Sequence, residues 1–82
     1  MFVVKWSLAA TNEFAVISVL HPNRWKDIND ADNDIDKKLR TNPTRYGQYV
    51  AEGLWRIISS PLAVYFSVDG NEVNVSSVAW VE

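Results

Sequence analysis

The run Leu62–Val68 constrains this chain more than any other segment. Leu62, Val64, Phe66 and Val68 alternate with Ala63, Tyr65 and Ser67, so an extended segment here is apolar on both faces. Such a strand belongs in the interior of a sheet, with neighbours on both edges. Asp69-Gly70-Asn71 follows it, a strong hairpin turn. The spacing predicts a second strand over 72–81 and, before Ser60-Pro61, a third over 54–59. A sheet is therefore unavoidable, and the rest of the chain has to cover it.

The cover comes from a change of period upstream. Trp25, Ile28, Ala31, Ile35 and Leu39 recur at spacings of 3, 3, 4 and 4, one stripe of a helix. Its acids come early and Lys38 and Arg40 late, as a helix dipole favours. Asn42-Pro43 ends it. Ala10, Phe14 and Ile17, joined by Val16 and Leu20, place another helix between Leu8 and Leu20, with Ser7 as N-cap. His21-Pro22-Asn23 separates the two helices, so a hairpin is expected. Phe2, Val4 and Trp6 alternate with Val3, Lys5 and Ser7 as a first strand. Residues 44–53 read as a loop.

The expected fold class is α+β: one domain over 1–82, with an N-terminal strand, a helical hairpin and three antiparallel strands. The helices lie on one face of a single mostly antiparallel sheet. The other face is left open and carries residues drawn from Lys5, Arg56, Tyr65, Val78 and Trp80. That is a large apolar and aromatic area for water, and a partner is expected to cover it. Trp6 and Trp25 read as core.

With 82 residues, the chain is too short for a multidomain enzyme. Eight Lys plus Arg against ten Asp plus Glu give a net charge of −2, so no broad field draws it to nucleic acid or anionic membrane. Absence of cysteine removes disulfides, thiol nucleophiles and thiolate metal sites. The start, Met1-Phe2-Val3-Val4-Lys5-Trp6, lacks the basic-then-apolar pattern of a secretion signal, and a cytoplasmic protein is expected.

Chemical motifs are sparse. Asp30, Asp32 and Asp34 have the first, third and fifth places of a calcium loop, but Ile35 stands where glycine is needed and Thr41 where the bidentate glutamate belongs. No metal or cofactor is expected. His21 is the single histidine; it has no sequence partner for acid–base work, and a role in the turn suffices for it. Gly47, Gly53 and Gly70 are isolated turn residues, not a phosphate loop. Arg56, Tyr65 and Trp80, with Lys5, remain as a cationic and aromatic surface. Those residue types make binding hot spots, and they suit a protein partner better than RNA.

The strand and serine Val3-Val4-Lys5-Trp6-Ser7, the helix end Ile35-Asp36-Lys37-Lys38-Leu39-Arg40-Thr41-Asn42-Pro43 and the string from Gly53 to Asp69 (GLWRIISSPLAVYFSVD) resemble the RelE/ParE superfamily of toxin–antitoxin toxins, a plasmid-stabilisation type. The resemblance spans about Val3 to Val81. It implies a two-layer fold with the first strand beside the last, a cytoplasmic protein, and an antitoxin wrapped around it. It also implies one of two targets, ribosome-bound mRNA cut by basic residues in the RelE branch or DNA gyrase in the ParE branch. Arg56 matches a basic position of the RelE branch. Ala63 stands where an arginine is expected, and Ala79-Trp80-Val81-Glu82 lacks the basic residue and the terminal Tyr or His.

The expectation is thus a toxin-module protein acting through protein binding, with Arg56, Tyr65 and Trp80 as the binding face. Two alternatives stand beside it. One is a RelE-type endoribonuclease using Arg56, Tyr65 and Lys5 as catalytic residues. The other is a non-toxic domain that forms a homodimer through the open face.

Overall fold

The structure, a computed structural model, describes residues 1–81. Strand β1 (Val3–Trp6) leads into helix α1 (Leu8–Leu20). A 3-10 turn (Pro22–Arg24) joins it to helix α2 (Trp25–Thr41), and a four-residue helix α3 (Pro43–Tyr46) follows. Strands β2 (Gln48–Ala51), β3 (Leu54–Ser59), β4 (Leu62–Asp69) and β5 (Glu72–Trp80) complete the chain. Among the described residues, the strands form one sheet in the order β1-β5-β4-β3-β2. β1 runs parallel to β5, and the other pairs are antiparallel.

β4 is central, as its two apolar faces require, and Leu62, Val64 and Phe66 are buried under the helices with Val73 and Val75 of β5. α2 contributes Ile28, Ala31, Ile35 and Leu39, the stripe read from the sequence. Its outer surface is tied by the pairs Lys26–Asp30, Lys38–Asp34 and Arg40–Asp36, each one helical turn apart. Ser7 caps α1: its Oγ accepts a hydrogen bond from the Ala10 amide at 3.0 Å.

Four expectations need correction. The segment 44–53 is not all loop. Pro43 starts α3, and Gln48–Ala51 add a fifth strand at the sheet edge. All four residues of β2 are exposed, so no alternation marked it. Val16 and Leu20 are 55% and 67% exposed rather than core. Almost every position of α1 is apolar or small, so hydropathy does not mark its inner face. Only Ala10 and Ile17 are fully buried there. Trp25 is 58% exposed; it lies at the first turn of α2, and its indole N–H reaches back to the Ser18 carbonyl at 2.9 Å.

The fourth correction concerns β5. Val78 and Trp80 belong to the helix side of the sheet, not the open face. Val78 is buried and Trp80 packs against the core. The cause is a bulge: Tyr65 pairs with Ser77, but Phe66 pairs with Val75, so Ser76 is an extra residue. One extra residue inverts the two-residue alternation. Val73 and Val75 before the bulge, and Val78 and Trp80 after it, therefore share one face.

Candidate functional site

The open face is read directly from the register. Gln48, Arg56, Tyr65 and Ser77 form one row across β2, β3, β4 and β5. Ile58, Ala63 and Ala79 form the next row. Arg56 and Tyr65, both picked out in the sequence, are thus direct cross-strand neighbours. Lys5 lies on the same side through its pairing with Asn74, but three strands from Arg56, roughly 14 Å at the usual strand spacing. It is held by Glu72 at 2.8 Å. Trp80 is on the opposite side, so the expected trio of Arg56, Tyr65 and Trp80 does not assemble.

Trp80 has a different neighbour. The His21 ring stacks on it, with centroids 3.6 Å apart and planes at 3°, and the Arg24 guanidinium lies 5.3 Å from its ring centre. His21 therefore joins the end of α1 to the end of β5.

Around Arg56 the structure adds residues that sequence reasoning missed. A notch of about 120 Å³ is lined by Tyr46, Gln48, Arg56 and Ile58. Arg56 Nη2 donates to Gln48 Oε1 at 3.3 Å. Its Nε is shielded from solvent and has no acceptor. A shielded guanidinium N–H without an acceptor is a desolvation cost that the fold leaves uncompensated. Ile58 is 51% exposed and Tyr46 is 49% exposed. Arg and Tyr are among the residue types enriched in protein-binding hot spots. Tyr46 and Gln48 could be found only once β2 was recognised.

The acidic run of α2 is spread by the helix itself. Asp30 pairs with Lys26 and Asp34 with Lys38, while Asp32 lines a crevice with Trp6, Phe14 and Asp36. Burial, and then the charge of Asp36, raise the Asp32 carboxyl above its ordinary value. The hydrogen bond from Lys38 leads the causes that lower Asp34.

No family model matches the chain, and no curated protein matches it in sequence. Solved structures do. A chain of the chromosomal ParDE TA system from P. aeruginosa superposes with a TM-score of 0.80 at 18% identity, covering 100% of this chain and 98% of that one. The YoeB-YefM complex from Staphylococcus aureus gives 0.66 at 13% identity, covering 100% and 99%. The toxin-antitoxin complex RelBE2 from Mycobacterium tuberculosis gives 0.63 at 13% identity, covering 96% of each chain. Identities this low carry the architecture alone. The fold of this chain is that of the RelE/ParE toxins.

Proposed function

We propose that this protein is the toxin-fold member of a toxin–antitoxin module and works by binding proteins: a cognate antitoxin, and a protein target of the gyrase type. The fold likeness to chains of toxin–antitoxin systems supports the module. The observation that carries the protein-binding reading is the make-up of the open face. Arg56 stands there with Tyr65, Gln48, Tyr46 and Ile58, while Ala63 and Ala79 fill the adjoining row. Stabilising the charge of a phosphoryl transition state takes several positioned cations. Lys5, Arg24, Lys26, Lys38 and Arg40 are each engaged in an ion pair. The net charge of −2 also opposes approach to ribosomal RNA.

The test is expression from a tight inducible promoter in a bacterial host, with and without the reading frame adjacent to the gene. Growth arrest relieved by the neighbour, and co-elution of the two proteins as one complex, are the expected results. Normal growth at high soluble expression together with separate elution would overturn the proposal.

A further inference from the structure

Helix α2 carries five aspartates, and four of them have a cation within one helical turn. Asp27 pairs with Arg24, Asp30 with Lys26, Asp34 with Lys38 and Asp36 with Arg40. Asp32 is the exception: among the described residues it has neither an ion pair nor a hydrogen bond. The sequence accounts for this. Ile28, Asn29, Ile35 and Asp36 stand three and four residues from Asp32, so no helical neighbour offers it an opposite charge. Asp32 is also partly buried. Burial, and then the Asp36 charge, push its carboxyl up, so keeping it ionised costs the fold stability. A charge held in that way without an internal partner marks a functional position.

Asp32 lines a crevice of about 370 Å³ between α1, α2 and the end of β1, together with Trp6, Thr11, Phe14, Asn33 and Asp36. That volume is at the small end of ligand pockets, about 300–1,000 Å³. Trp6 and Phe14 meet edge to face, with centroids 5.8 Å and planes 88° apart, and form the apolar wall. Asp36 accepts from Arg40 through Oδ2 at 2.9 Å, which leaves its Oδ1. Thr11 Oγ1 donates to the Ser7 carbonyl at 3.0 Å, so it meets a ligand as an acceptor. Carboxylate and hydroxyl acceptors thus stand beside aromatic carbon, and no cationic residue is part of the lining.

We propose that this crevice binds an alkylguanidinium group, its head on Asp32 and its stem against Trp6 and Phe14. A guanidinium is planar, forks onto a carboxylate through two N–H groups and packs on aromatic rings, which a strongly hydrated ammonium does less well. The group is the same whether it belongs to a free guanidino compound or to an arginine side chain of another protein. The crevice lies in the helix layer, across the sheet from Arg56 and Tyr65, and its occupancy is independent of the toxin reading.

Two probes are titrated separately into the whole protein and followed by two-dimensional amide NMR: n-butylguanidinium, and a blocked short peptide with a single arginine between alanines. The control is n-butylurea, which has the same shape and no charge. Both probes should move the Trp6 indole N–H and the Asn33 side-chain amide, at least one of them saturating with a Kd of roughly 0.1–1 mM, while n-butylurea moves neither. Tighter binding of the small cation assigns the site to free guanidino compounds, and tighter binding of the peptide assigns it to a protein arginine. Asp32→Asn keeps the shape of the side chain. It should weaken binding by about tenfold or more while raising the melting temperature, opposite signs that a merely structural residue would not give. No saturable shift from either probe below about 10 mM would overturn the proposal. So would equal shifts with n-butylurea, or binding unchanged in Asp32→Asn. Where that variant folds poorly the unaltered protein still decides, because shifts confined to residues outside the crevice overturn the proposal equally.

Discussion

Gly47→Ala is the substitution whose cost the structure specifies most closely. Gly47 joins α3 to β2 and so sets the position of Gln48 beside Arg56. A Cβ at this residue would stand 2.7 Å from Phe66 Cζ and 2.9 Å from the Pro43 carbonyl oxygen. Neither neighbour yields easily. Phe66 is fully buried, and the Pro43 oxygen accepts the Gly47 amide at 2.9 Å. Backbone conformation is not the obstacle, since Gly47 has φ −83 and ψ 165, which alanine adopts freely. Overpacking of this kind costs about 1–3 kcal/mol. Replacing glycine returns about 0.4–1 kcal/mol through the unfolded chain. The net expectation is a loss of about 1–2 kcal/mol, or about 5–15 °C in melting temperature for a domain of this size. Thermal unfolding followed by far-ultraviolet circular dichroism measures it. Phe66→Leu in the same chain removes one of the two clashes, so the double variant should be at least about 0.5 kcal/mol more stable than the sum of the single losses. A Gly47→Ala protein melting within about 2 °C of the original would refute the packing argument.

Three further outcomes follow from the same structure. Deleting Ser76 should leave the protein folded with Val78 and Trp80 still on the helix side, because it restores regular pairing at Tyr65 and removes only the bulge. Amide NMR on the deletion variant checks this, and unfolding or a repacked Trp80 would contradict the bulge assignment. Asp32 and Asp34 should respond to pH with opposite signs. The raised carboxyl of Asp32 destabilises the fold above the ordinary carboxylate range and ceases to do so as pH falls through it, so Asp32→Asn should raise the melting temperature at pH 7 and lose that gain near pH 3. The lowered carboxyl of Asp34 contributes stability above that range and loses it as pH falls, so Asp34→Asn should cost a few tenths of a kcal/mol at pH 7 and nothing near pH 3. Arg56→Ala should weaken antitoxin or target binding by about 2 kcal/mol in calorimetry while changing the melting temperature little, since the guanidinium makes one long hydrogen bond within the fold.

Much of the fold was legible because it rests on period. The stripe from Ile28 to Leu39 and the double-sided run of β4 each admit one interpretation. What escaped had a physical cause in each case. β2 is exposed throughout, so selection for burial left no trace in it. α1 is apolar on its inner and outer faces alike, so exposed Val16 and Leu20 look like core until the sheet is placed. Ser76 is an ordinary serine, yet as a bulge it transfers Val78 and Trp80 to the other layer. The candidate site shared that fate. Arg56 and Tyr65 lie on β3 and β4, whose alternation the extra residue of β5 leaves undisturbed, and both face the open side. Trp80 follows Ser76 on β5 and does not. Tyr46, Gln48 and Ile58 became visible only through β2 and the register of β3.

The proposed mode of action, protein binding, leaves mRNA intact. Mapping mRNA 5′ ends in cells shortly after induction, for the unaltered protein and for Arg56→Ala, tests it most directly. The expected result is an unchanged set of ends in both strains while growth slows in the first. New ends inside translated codons that disappear in Arg56→Ala would contradict the account and make Arg56 a catalytic residue.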